Sequence, residues 1–253
     1  MFAFVFLVVV PALAAAGGAY LFGRRAAVAD GESDGDSVSY VGGIVSAMFT
    51  VVLAFFVVFA WQAGADVESS SGAESDALLD LFWQVQALPA PQRAGLQDLV
   101  AQYTRQVADT EWPLLAGGES DTKAATLLDQ LRTTVGALPV DGGIAQSVRE
   151  QGMADLRQVG DARRARIDAA TSDDSFNTIL LVGTLAGGAL TIAFPLLAGI
   201  SARPANIVIM GVLGLVVGVT MFVAVALAAP VGGLFGAEPG AFLGALTEMS
   251  APD

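Results

Sequence analysis

The sequence predicts an all-α membrane protein: four transmembrane helices, with a soluble helical bundle inserted between helices 2 and 3. Three observations predict it. Of 253 residues, 54% are hydrophobic and only 15% are charged, whereas a soluble domain carries about a quarter charged residues. Four apolar stretches without Asp, Glu, Lys or Arg are each long enough for a bilayer core, which takes roughly 20 helical residues. Between the second and third stretches lie 111 residues, Asp66 to Phe176, with 18 acidic and nine basic side chains.

The first stretch runs from Met1 to Phe22, and Arg24 and Arg25 follow it. Ala12-Leu13-Ala14 imitates a signal-peptide cleavage site, but a signal peptide opens with positive charge. The first positive charge here is Arg24, so the stretch reads as a retained span. The second occupies Val41 to Gly64, within an uncharged run from Ser37 to Ala65. The third lies between Phe176 and Ile200, the fourth between Asn206 and Ala229.

The intervening segment is helical by its periodicity. Leu96, Leu99, Val100, Tyr103 and Val107 form one apolar stripe, and Leu127, Leu128, Leu131, Val135 and Leu138 form another. Leu88-Pro89-Ala90-Pro91 separates the first of these helices from one continuing out of the second span. Glu111-Trp112-Pro113 and Gly117-Gly118 are expected to close it, since Pro and Gly punctuate helices. Nothing alternates with period two, so no strands are expected. The chain thus divides into 1–65 (helices 1 and 2 with an acidic loop, 24–40), 66–175 (the bundle), 176–237 (helices 3 and 4) and a tail, 238–253.

Composition excludes much chemistry. With no His and no Cys there is no imidazole acid–base catalyst, no thiolate nucleophile, no disulfide and no zinc-thiolate site. A net charge of −13 argues against nucleic acid, whose phosphates demand Lys and Arg. No carboxylate pair is spaced for catalysis, so the chain is read as a non-enzyme without a cofactor. The spans also lack the intramembrane charges of proton-coupled carriers and voltage sensors, which leaves a passive pore or an anchor.

Asp30, Glu32, Asp34 and Asp36, with Gly35, imitate the front half of a calcium-binding EF-hand loop. The bidentate Glu such a loop needs at position 12 is replaced by Val41, so the segment reads first as a solvated acidic loop and second as a weak cation site. On the second span, Val51, Phe55 and Phe59 share one face. Around a symmetry axis that face would form a hydrophobic constriction that gates by dewetting; otherwise it faces lipid or a neighbouring helix. Gly42 and Ser46 begin a ladder of small residues, and Gly183 with Gly187, and Gly214 with Gly218, are small-xxx-small pairs, all suited to close helix packing. Glu68, Glu74, Asp76 and Asp80 follow the second span and read as a hydrated acidic face, or as partners for Arg of the bundle.

These local words resemble the bacterial bestrophin-like family, which has no assigned activity. Ala73-Glu74 with Leu78-Leu79-Asp80-Leu81-Phe82, then Leu88-Pro89, Gln102-Tyr103, Glu111-Trp112-Pro113-Leu114, and Arg163 through Ile167 carry the resemblance. In the tail, Glu238-Pro239 and Ala241-Phe242 fit, while Leu227 through Gly233 lacks the family's acid, base and Phe. The resemblance implies an oligomer passing small inorganic ions, with a neck on helix 2; bestrophins proper are oligomeric anion channels with a cytosolic helical domain. Only Val51, Phe55 and Phe59 match that neck.

Charge leaves the orientation open, because Arg24, Arg25 and Arg203 oppose Arg163, Arg164 and Arg166 across the membrane. The resemblance implies a cytoplasmic bundle in a bacterial or archaeal cell (inner) membrane. The expectation is therefore a homo-oligomeric passive channel in the lipid bilayer. The alternative is a non-conducting scaffold or sensor whose acidic bundle docks a protein partner.

Overall fold

The computed structural model describes residues 10–26, 35–140, 143–171, 175–197 and 203–251. Among these the chain is helical, with no strand beyond an isolated Val231–Ala237 bridge. In chain order the helices are α1 (Val10–Ala26), α2 (Gly35–Gln84), α3 (Ala90–Gln106), α4 (Trp112–Leu115), α5 (Thr122–Gly136), α6 (Ile144–Thr171), α7 (Ser175–Leu197), α8 (Pro204–Leu227) and α9 (Gly240–Met249). The chain forms two compact units, Met1–Ala60 with Asp173–Ala228, and Trp61–Ser172 with Ala229–Asp253. Among the described residues, three stretches are long and apolar enough to cross a membrane: Ser39–Ala87, Ile144–Leu197 and Pro204–Leu227. The first predicted span lies partly outside the described residues, as do Asp30, Glu32 and Asp34 of the acidic loop; Asp36 falls in the first turn of α2.

In the first unit α1 packs chiefly on α8, and α7 touches both. Pro204 opens α8 at a position whose N–H would have no helical partner. Pro195 lies inside α7 close to its end, where it withholds the donor the Thr191 carbonyl would take from an ordinary residue. Ala15, Ile192, Met210, Val217 and Met221 form one apolar core, and Phe56, Ala60 and Ala224 form another. Small residues set the helix spacing. A Cβ on Gly42 would stand 2.8 Å from the Phe194 ring, and one on Gly187 would stand 3.6 Å from the Phe49 Cα. Gly183 faces Val52, and Gly214 and Gly218 are buried within α8. Ser46 is exposed.

In the second unit the two predicted stripes are buried. Leu96, Val100, Tyr103 and Val107 of the first pack into one core with Leu127, Leu128, Leu131, Val135 and Leu138 of the second. Asp121 caps α5 by accepting from the Lys123 and Ala124 N–H groups at 3.0 and 3.2 Å, which satisfies two donors the helix start leaves orphaned. One expected boundary is different. Glu111-Trp112-Pro113 does not end a helix. The backbone passes through a π-helical turn, Val107–Glu111, directly into α4. The Trp112 N–H bonds back to the Val107 carbonyl, and Pro113, lacking a donor, follows at the start of α4, where this wider turn has already shifted the hydrogen-bond ladder. The stop comes at Gly117-Gly118. Gly118 takes φ +79, and the Glu119 N–H closes back on the Leu114 carbonyl at 3.0 Å.

Candidate functional sites: a buried charge cluster and an exposed aromatic face

Three helical segments of the second unit bring charges together inside its core. Arg166, Glu74 and Glu111 have no solvent exposure. Arg166 Nε donates to Glu74 Oε2 at 2.9 Å, and its Nη2 donates to Glu111 Oε2 at 2.8 Å and to Glu74 Oε1 at 3.3 Å. Tyr103 Oη donates to the same Glu74 Oε1 at 2.6 Å. Arg163 donates to Glu111 Oε1 through a short bond and to the Asp121 carbonyl at 3.1 Å. Two guanidinium groups thus face two carboxylates, a neutral balance that a dry interior demands.

Aromatic rings complete the cluster. The Arg166 guanidinium carbon lies 5.7 Å from the Trp112 ring centroid and 5.3 Å from that of Phe242, within cation–π range. Arg166 Nη1 has no hydrogen-bond partner, so these ring faces carry the charge where oxygen atoms do not. Trp112 Nε1 in turn donates to the Ala237 carbonyl at 3.2 Å, and Phe242 of α9 is fully buried.

Burial and pairing set the protonation of these groups. Burial pushes the Glu74 carboxyl above its ordinary 4.5, and the Arg166 charge with the Arg166 and Tyr103 hydrogen bonds offsets only part of the rise. Burial, then the neighbouring Glu74 carboxylate, pushes the Tyr103 phenol well above its usual range. Burial alone would lower the Arg166 pKa; Glu74 and Glu111 outweigh it and hold the guanidinium above its ordinary value. Burial would likewise raise Asp121, but the Gln106 side chain and the Lys123 and Ala124 N–H groups prevail and hold it below 3.8.

The acidic residues after the second span therefore separate. Glu68, Asp76 and Asp80 are exposed, but Glu74 is not part of a hydrated face. It points the other way round the helix and pairs with Arg166. No group of acidic residues suited to a metal ion occurs among the described residues.

The other candidate site lies on α2 in the first unit. Its own chain leaves Val51 and Phe55 49% and 55% exposed, while Phe56 is buried at 1%. Phe59 is 38% exposed, and its ring meets that of Phe176 edge-on at 5.0 Å and 82°.

Residues 9–242 match the family model of the Bestrophin-like domain, nearly the whole chain. The chain belongs to the bestrophin-like family. No curated protein and no solved structure matches it. Five of the words that carried the sequence resemblance each send a residue into the buried cluster of this bestrophin-like chain. Glu74, Tyr103, Glu111-Trp112, Arg163, Arg166 and Phe242 come from five separated stretches and share one set of contacts. Sequence reasoning had each residue but not their meeting. The available signal was Tyr103, whose hydroxyl sits in an otherwise apolar stripe and needs a buried partner.

Proposed function

We propose that the chain is the subunit of an oligomeric, passive ion channel. The predicted span Met1–Phe22, α2, α7 and α8 cross the membrane, and residues 66–175 form a cytoplasmic insertion. The observation that carries this reading is the α2 face of Val51 and Phe55, apolar and left uncovered by the chain's own helices. Membership of the bestrophin-like family supports it, by its likeness to the channel-forming bestrophins.

The ends of the uncharged stretch support a crossing helix as well. Tyr40 and Trp61 are both exposed, and amphipathic rings favour the two membrane interfaces. With 20 residues between them, the two positions stand about 32 Å apart along the helix, close to the hydrocarbon thickness of about 30 Å. One copy offers too few helices to enclose a pore lined by a repeated α2, so symmetry must supply the others. Val51, Phe55 and Phe59 then form the neck. Family analogy favours anions, whereas the acidic insertion, with net charge −9 over 66–176, depletes anions nearby. Selectivity is thus set by the neutral lining.

The test has two stages. Native mass in mild detergent should give a closed ring of four or more subunits. Planar-bilayer recordings should then give currents that rise when Phe55→Ala and Phe59→Ala widen the neck. A monomer or dimer removes the shared-axis pore, and unchanged currents from a folded double mutant remove these residues from it. The exposed Glu68, Asp76 and Asp80 favour a second reading, a scaffold that docks a basic partner. Salt-sensitive capture of such a partner by a non-conducting protein would support it.

A further inference from the structure

Immediately after α8 the chain forms a pinned loop with an apolar tip. The Ala237 N–H donates to the Pro230 carbonyl at 2.8 Å, and the Gly236 N–H to the Gly233 carbonyl at 3.2 Å. Val231 and Ala237 pair as an isolated bridge and are buried in the core of the second unit. Gly232 holds φ +71, and a Cβ on Gly236 would stand only 2.8 Å from the Gly233 nitrogen. Both glycines are therefore required by the backbone. What this fixed loop presents is Leu234 and Phe235, 70% and 56% exposed.

We infer that the Leu234–Phe235 tip is a lipid anchor that seats in the boundary between headgroups and acyl chains. Two adjacent large apolar side chains on a rigid tip gain nothing from water and gain transfer free energy from lipid. Three observations select the bilayer as occupant. No ionisable residue occurs between Arg203 and Glu238, so neither the tip nor the chain leading into it carries a charge that entry would have to desolvate. Pro230, the foot of the loop, is three residues beyond Leu227, hence at most about 11 Å from the end of α8. That helix is itself apolar and long enough to cross a membrane. The first charge after the loop, Glu238, is exposed and marks a return to water. The inference rests on α8 being a membrane-crossing helix.

The chain has no cysteine, so one introduced thiol carries a unique nitroxide label. Leu234→Cys and Phe235→Cys are labelled separately in the full-length protein. Exposed Val216 of α8 and exposed Thr126 of α5 serve as lipid and water references, through Val216→Cys and Thr126→Cys. Each is reconstituted into phosphatidylcholine–phosphatidylglycerol vesicles, and its collisions with oxygen and with a water-soluble nickel chelate are compared. The expected result is an oxygen-to-nickel ratio at 234 and 235 several-fold above that at 126 and below that at 216. A ratio at both tip positions equal to that at 126, with 216 in lipid, overturns the anchor and leaves the crossing helix intact. Water-like ratios at 216 as well overturn both. Shielding of 234 and 235 from both reagents, together with dipolar broadening between labels at 234, would identify a second copy as the occupant and also overturn the anchor.

Discussion

Arg166 and Glu74 stand 92 residues apart in the chain, yet Nε of one donates to Oε2 of the other at 2.9 Å, with neither side chain touching solvent. Glu74 belongs to α2 and Arg166 to α6. Glu111, at the end of the π-helical turn, takes the remaining Nη2 bond at 2.8 Å. A single guanidinium thereby joins three segments that share no sequence proximity, and its planar fork is suited to doing so.

Removing that guanidinium strands two buried carboxylates. Arg166→Leu is expected to cost about 3–5 kcal/mol, the usual penalty for breaking a buried pair from one side. Arg166→Lys should recover only part, because an ammonium cannot bridge both carboxylates in the same geometry. Denaturant unfolding followed by tryptophan fluorescence measures this, since Trp112 lies over the guanidinium. A loss below about 1 kcal/mol, the scale of an exposed pair, would show that the cluster does not hold the bundle together.

The buried carboxyl gives the bundle a pH slope. Glu74 is raised above 4.5, so the folded state retains a proton that the unfolded chain releases. The stability this contributes is complete below pH 4.5 and is lost as pH rises through the folded value. Asp155 is raised above 3.8 by burial, with Asp80 adding to the rise and Gln84 opposing it, and contributes the same sign. Asp121, lowered from 3.8, acts oppositely: its stability is present above pH 3.8 and lost as pH falls through the folded value. Unfolding free energies between about pH 3 and 8 should therefore show a flatter alkaline side in Glu74→Gln and a flatter acid side in Asp121→Asn. Unchanged slopes in both variants would remove these groups as the source.

Gly236 tests the loop after α8. A Cβ there would press on backbone, 2.8 Å from the Gly233 nitrogen and 3.0 Å from the Gly232 nitrogen, and backbone cannot swing aside as a side-chain end can. Gly236→Ala should cost about 1–3 kcal/mol, the range for overpacking, and open the 230–237 loop to limited proteolysis. Cleavage at the wild-type rate would show the loop accommodates the methyl group.

Thr184 should behave in the opposite way. It is fully buried in α7 and its Oγ1 has no partner, whereas Thr191 of the same helix bonds the Gly187 carbonyl at 2.8 Å. Thr184→Val keeps the shape and removes an unsatisfied hydroxyl, so it should raise stability by about 1 kcal/mol. Thermal unfolding in detergent reads the sign, and a lower melting temperature would mean that the hydroxyl is paired in the folded protein.

Much of this architecture was legible because it follows from local pattern. The uncharged run through α2 and the i, i+3, i+4 stripes of α3 and α5 depend only on neighbouring residues, and burial of Leu96, Val100, Leu128 and Leu131 follows. The π-helical turn was not legible. Pro113 reads as a stop, and only the altered bonding from Trp112 to Val107 shows how the chain passes it. Nor could spacing join Glu74 to Arg166 or bring Phe242 beneath the guanidinium. Those contacts depend on how helices far apart in sequence pack, which no periodicity encodes. Glu74 accordingly resembled its exposed neighbours Asp76 and Asp80, although about half a turn of helix from Glu74 to Asp76 divides core from solvent.

The position of Phe242 also has a consequence for how the protein is made. Its ring covers Arg166 and meets Trp112 with centroids 6.1 Å apart, but it is synthesised 70 residues after Ser172, with α7 and α8 in between. At ribosomal rates of about 5–20 residues per second, that interval is roughly 4–14 s. During it the nascent bundle must hold a paired but uncapped arginine and a bare indole edge, and its core closes only once the two apolar helices have been delivered. Folding of the charged half is thus timed by insertion of the greasy one.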